Sequence, residues 1–89
     1  MQDNRIGTYN GSYRIIDTVE NNSEGVALAV KETNLGREYA TWFYPKYGDY
    51  YYLGHYFSDY DNIFPYKTPA GYDAARSDFK KRALELVEY

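Results

Sequence analysis

Apolar and polar residues alternate with a period of two along the first two-thirds of the chain, and the period then lengthens to that of a helix. Ser12 to Glu20 (SYRIIDTVE) places Tyr13, Ile15 and Val19 on one side of a strand and Ile16 and Thr18 on the other. The cluster Asn21-Asn22-Ser23-Glu24-Gly25 is turn chemistry, because Asn and Gly accept positive φ and short polar side chains cap their own backbone. Gly25 to Thr33 (GVALAVKET) alternates large and small, with Val26, Leu28 and Val30 pointing one way and Ala27 and Ala29 the other. Asn34-Leu35-Gly36 is a short hairpin connection. Arg37 to Tyr44 follows as a third strand, with Ala40, Trp42 and Tyr44 opposite Tyr39, Thr41 and Phe43.

Pro45 cannot donate to a strand ladder, so Pro45 to Asp49 is the next turn. Tyr50 to Phe57 (YYYLGHYF) forms the fourth strand, with Tyr51, Leu53, His55 and Phe57 alternating against Tyr50, Tyr52, Gly54 and Tyr56. Ser58 to Gly71 is an irregular connection holding two of the three prolines. About Tyr72 to Glu88 comes one helix, with Tyr72, Ala75, Phe79, Ala83 and Leu86 on a single stripe. Asp73 sits at the favourable end of its dipole, and Thr68-Pro69 offers an earlier start. The pattern predicts an α+β fold, a four-stranded antiparallel meander with one C-terminal helix packed on one face (β-β-β-β-α). Residues 1–10 are polar and expected to be loose, and 11–89 form a single domain.

Composition sharpens this in one respect. Eight of the 13 tyrosines fall between Tyr39 and Tyr60, together with the single tryptophan, Trp42, and the single histidine, His55. Tyrosine joins a large apolar ring to a hydroxyl that tolerates water, so a tyrosine-rich sheet can fill a core with one face and offer contacts with the other. A chain of 89 residues needs such dense side chains, because a domain this small buries only about two-thirds of its unfolded surface. There is no cysteine, which excludes disulfides and thiolate metal sites and fits a reducing compartment. No apolar run reaches the ~18 residues of a membrane span, and MQDNRIGTYN lacks an apolar leader core, so a cytoplasmic protein is expected. On that expectation the Asn-x-Ser patterns at Asn10 and Asn21 carry no weight. The net charge of −3 supplies no basic footprint for nucleic acid.

Catalytic candidates are few. His55 is the default acid–base group, but it has no second histidine or cysteine for a metal and no nucleophile at triad spacing, so a structural or binding role is expected. Asp49, Asp59 and Asp61 do not fit a calcium loop: Asp59-Tyr60-Asp61-Asn62-Ile63 lacks the glycine and the distal glutamate. Arg76, Lys80, Lys81 and Arg82 are interrupted by Asp73, Asp78, Glu85 and Glu88, and Asp78–Arg82 and Lys81–Glu85 are i,i+4 pairs, so a solvated, salt-bridged outer face accounts for them. No catalytic residue, metal site or cofactor is assigned, and the chain is expected not to be an enzyme.

If the Trp42, Leu53 and Phe57 side joins Val26, Leu28 and Val30 under the helix, the opposite face presents Tyr39, Phe43, Tyr50, Tyr52 and Tyr56. An exposed aromatic patch of that size marks an interaction site more often than it merely stiffens strand pairing. With the acidic loop after it (Asp59, Tyr60, Asp61), this face is the expected contact surface for another protein. Two alternatives use the same rings. A single-stranded nucleic acid could stack on them, with Lys31, Arg37, Lys46 and Lys67 along its backbone, though the acidic balance opposes it. A second copy of the chain could bury the same patch.

Tyr39-x-Thr41-Trp42, then Tyr50-Tyr51-Tyr52-Leu53-Gly54-His55-Tyr56-Phe57, then an Ala-Ala-x-x-Asp-Phe helix at Ala74 to Phe79, resembles a class of small accessory proteins of phages and integrative elements of Gram-positive bacteria. The resemblance covers about the C-terminal half and is one of pattern. It implies inhibition of a host defence protein, anti-CRISPR activity included, in the host bacterial cytoplasm. It assigns no residue a role.

Overall fold

A computed structural model of the chain describes residues 5–60 and 71–87. It has five strands and one helix: β1 (Tyr9–Asn10), β2 (Tyr13–Glu20), β3 (Glu24–Thr33), β4 (Gly36–Pro45), β5 (Tyr52–Tyr60) and α1 (Gly71–Val87). The strands run as an antiparallel meander in the order β1-β2-β3-β4-β5, and the sheet curls into a half-barrel. The expected α+β meander with a C-terminal helix is therefore present, with five strands rather than four. The additional strand lies in the segment expected to be loose. Gly7 N donates to Ile15 O and Ile15 N to Thr8 O, which lays residues 7–10 along β2. The alternative helix start at Thr68-Pro69 falls outside the described residues.

Local chemistry sets each turn. Asn21 Oδ1 accepts from the backbone N–H of Ser23 and Glu24, both at 2.8 Å, closing the β2–β3 turn. The β3–β4 hairpin leaves only Asn34 and Leu35 unpaired, because Thr33 pairs with Gly36. Gly36 thus belongs to the strand, and this one-residue difference reverses the expected pairing of faces. Val26, Leu28 and Val30 face Phe43, Thr41 and Tyr39, whereas Ala27 and Ala29 face Trp42 and Ala40.

The helix covers the first of these faces. Ala75, Phe79 and Leu86 pack on Val26, Leu28, Val30 and Tyr39, with Ile16, Val19, Phe43 and Phe57 around them. The other face holds a second core of Ile15, Ala27, Ala29, Ala40, Trp42 and Tyr44, joined by Tyr13 and Tyr51. Here large rings lie over small neighbours: Tyr44 sits on Gly25, where a Cβ would collide with its ring. Arg5 closes this side. Its guanidinium stands 4.1 Å from the centroid of Tyr44 and donates to the carbonyls of Pro45, Lys46 and Gly48 and to the Tyr51 hydroxyl.

Two bulges shift the phase of the outer strands. In β2 the register slips between Ile15 and Asp17, so Ile15 joins the second core while Ile16 and Val19 join the helix side. In β5 the register slips opposite Trp42: Thr41 pairs with His55, but Phe43 pairs with Tyr52. Leu53 and Gly54 share the single position across from Trp42, and Leu53 takes φ +55°.

Candidate functional site

The expected outer row of aromatics does not form. Tyr39 is 4% exposed and lies under the helix, edge-on to Tyr72 with centroids 5.4 Å apart. Phe43 and Tyr52 lie on the helix side too, because the hairpin register and the β5 bulge carry them there. Tyr56 is on the opposite face, 61% exposed, and its hydroxyl accepts a 3.1 Å hydrogen bond from the Trp42 indole. Trp42, expected beneath the helix, belongs to the second core instead, and Leu53, expected in the core, is 66% exposed.

A different aromatic surface takes shape at one end of the sheet, in the β4–β5 connection. Successive ring contacts run outward from the helix: the Arg82 guanidinium stands 4.7 Å from the Phe43 centroid, Phe43 stacks on Tyr52 at 6.1 Å, and Tyr52 meets Tyr50 at 6.0 Å. Tyr50 is 60% exposed and Tyr47, in the turn before it, 86% exposed. Pro45 and the turn after it put Tyr47 at the tip. Lys46 Nζ lies 5.6 Å from its ring.

Between this row and the C-terminal turn of α1 is a cleft of about 220 Å³, lined by Glu24, Phe43, Tyr52, Leu53, Glu85 and Leu86. The β2–β3 turn holds the helix end here, through a 3.4 Å hydrogen bond from Asn21 Nδ2 to the Leu86 carbonyl. The Tyr52 phenol is pushed above its ordinary range, first by burial and then by the negative charge of the Glu24 carboxylate. Of the acidic loop residues, Asp59 and Tyr60 close β5 opposite Arg37 and Gly36, at the other end of the strand, on the order of 20 Å away. Asp61 lies outside the described residues. Asp59 and Tyr60 are therefore not adjacent to the exposed tyrosines of the β4–β5 end.

His55 is placed by the helix. Its Nδ1 lies 3.1 Å from Asp78 Oδ2, which also accepts a 2.5 Å hydrogen bond from the Thr41 hydroxyl. Arg82 Nη2 sits 2.7 Å from both ring nitrogens of His55, and its Nε lies 3.4 Å from Asp78 Oδ2. The expected i,i+4 pair of Asp78 and Arg82 exists, but not on a solvated face: Arg82 is 5% exposed and occupies the packed stripe of the helix. Burial alone would raise the Asp78 carboxyl, but the hydrogen bonds from Thr41 and His55 and the Arg82 charge hold it below its ordinary range. Burial pushes the Arg82 guanidinium down, against the pull of the Asp78 and Glu85 carboxylates. These four side chains pin the helix to β4 and β5. Thr41 is fully buried and Arg82 lies against the histidine ring, whose side chain is still 55% exposed.

Comparison with protein-family models, curated proteins and solved structures finds no match to this chain.

The other expected cations do not share a groove. Lys31 stands 5.7 Å from the Tyr13 ring, on the face away from the helix. Arg37 pairs with Glu32 at 3.6 Å near the β3–β4 hairpin, Lys46 is at the opposite end of the sheet, and Lys67 lies outside the described residues. Among the described residues no group of three or more His, Cys, Asp or Glu side chains is placed to hold a metal ion, and no helix is long and apolar enough to cross a membrane. The residues of this aromatic end and its cleft that the sequence did not single out are Tyr47, Leu53, Glu24 and Glu85. For Tyr47 the turn position after Pro45 was a usable signal. The glutamates meet the tyrosines only through tertiary packing.

Proposed function

We propose that this chain is a small non-enzymatic protein-binding module whose contact surface is the aromatic end of the sheet, centred on Tyr47, Tyr50, Tyr52 and Leu53. The observation that carries the proposal is the concentration of exposed rings and one exposed leucine in a single turn and bulge, with Leu53 held at positive φ. Backbone strain of this kind persists where the surrounding structure over-determines it, and it gathers at binding sites. Tyrosine anchors supply large, rigid contact area and recur at interface hot spots. Resemblance to mobile-element accessory proteins suggests the partner class: a host defence protein such as a CRISPR-Cas nuclease, which the module inhibits.

The test is co-purification with candidate defence nucleases in bacterial extract, comparing wild type with Tyr47→Ala, Tyr50→Ala and their double variant. Both side chains stand in solvent, so melting should shift little, by about 0.5 kcal/mol or less, while partner capture and inhibition are lost. Capture that survives the double variant defeats the surface assignment. A saturable, salt-sensitive signal with labelled single-stranded oligonucleotides would replace the protein partner with a nucleic acid. A concentration-dependent mass in light scattering that the same substitutions abolish would make the partner a second copy.

A further inference from the structure

The cleft beside the exposed tyrosines has a chemistry of its own, narrower than that of the surface around it. At about 220 Å³ it is below the size of a pocket for a cofactor or drug-like ligand and suits one side chain. Its walls are the rings of Phe43 and Tyr52 with Leu53 and Leu86, and its two polar residues are both carboxylates, Glu24 and Glu85. Neither carboxylate has a cation within 4.0 Å among the described residues, where the ion pairs are Arg37–Glu32, His55–Asp78, Arg76–Asp17 and Arg82–Asp78. The Glu24 charge acts on the Tyr52 phenol.

We propose that this cleft receives an arginine side chain from the protein partner. The inference rests on the protein-binding reading above and specifies the partner residue. An arginine matches on each count: an apolar stem for the leucines, a planar cation for the ring faces, and a fork of donors for carboxylates. The molecule already sets a guanidinium on a ring twice within itself, once with a carboxylate beside it. Arg5 lies over Tyr44, and Arg82 lies over Phe43 with Asp78 beside its guanidinium. The cleft repeats the aromatic and acidic halves of the Arg82 arrangement; the Arg82 charge acts on Glu85, but no cation among the described residues lies within 4.0 Å of either glutamate. Lysine carries the same charge but not the planar fork, so it should bind more weakly.

The test needs no partner. The isotope-labelled full chain is titrated with Nα-acetyl-arginine amide and followed by amide NMR, with Nα-acetyl-citrulline amide as the uncharged isostere. The expected result is saturable shifts confined to Glu24, Tyr52, Leu53, Glu85 and Leu86, at least several-fold weaker with citrulline, and reduced by high salt because the carboxylates stand at an open rim. Glu24→Gln with Glu85→Gln should abolish the response while the melting temperature stays near that of wild type. An equal response to citrulline, a response that survives the double substitution, or none up to the solubility of the probe would each overturn the assignment. The two readings fail separately. A partner whose capture depends on Tyr47 and Tyr50 but not on the glutamates leaves the module and removes the arginine. An arginine probe that binds while no protein is ever captured leaves the cleft and removes the module.

Discussion

Among the described residues, Leu53 is the one non-glycine residue at positive φ. The bulge that opposes Leu53 and Gly54 to Trp42 needs one residue at positive φ, and the chain puts the leucine there at +55°. The glycine next to it serves space instead: a Cβ on Gly54 would collide with the Tyr56 hydroxyl and the Trp42 indole nitrogen. Left-handed backbone costs an L-residue about 1–2 kcal/mol, so Leu53→Gly should stabilise the fold by about 1 kcal/mol. Leu53→Ala, which keeps the strain, should not. Urea denaturation of the two variants separates them, and equal midpoints would show that the strain is absent. Tyr44 is the second residue with a distinct energetic signature. Burial, followed by its 2.7 Å hydrogen bond to Glu20 and that carboxylate's charge, raises its phenol well above the ordinary value of about 10. A raised folded-state pKa contributes stability below pH 10 that is lost as pH climbs above it. Thermal melts should therefore fall above about pH 10 in wild type and fall less steeply in Tyr44→Phe, which should be less stable by about 1–2 kcal/mol at neutral pH for want of the charged hydrogen bond.

At the scale of elements, the helix is fixed to the sheet by polar contacts as much as by Phe79 and Leu86. Asp78 receives Thr41, His55 and Arg82 at once, and Arg82 is itself buried. Removing one member of a buried pair leaves an uncompensated charge, so Asp78→Ala should destabilise by about 3 kcal/mol. Arg82→Met, which keeps the stem and deletes the charge, should cost less than Asp78→Ala in the same chemical denaturation series. Because the Asp78 carboxyl lies below the usual range in the folded state, its contribution is complete above about pH 4 and disappears as pH falls through the lowered value. Acid unfolding monitored by circular dichroism should lose that component in Asp78→Asn. Sequence spacing gave the Asp78–Arg82 pair but set it on the solvent side, because charge pattern along a helix does not reveal which strand residues wait opposite. Thr41 and His55 lie 37 and 23 residues from Asp78.

For the whole molecule, the order of the strands sets the order of stability. β3 and β4 are flanked on both sides, and every residue from Gly25 to Val30 is buried. Their amides should exchange with solvent only on global unfolding, whereas β1, two residues long at the sheet edge, should exchange much faster. Native-state hydrogen exchange measures this, and comparable protection in β1 and β3 would contradict it. The meander, the closing helix and the tyrosine concentration were legible in the chain because they depend on local period, turn residues and composition. Alternation within β3 and β4 was legible too, down to which residues share a face of each strand. What the sequence left open was how those faces match. Whether Gly36 belongs to turn or strand, and where β2 and β5 take their extra residue, are differences of one residue. Each such step moves every later side chain to the other face. Cross-strand packing decides it, through fits such as Tyr44 over Gly25 and Trp42 beside Gly54, and those fits exist only once the strands are side by side. The same tertiary choice buried Tyr39 and left Tyr47, Tyr50 and Leu53 in solvent beside two glutamates from distant parts of the chain.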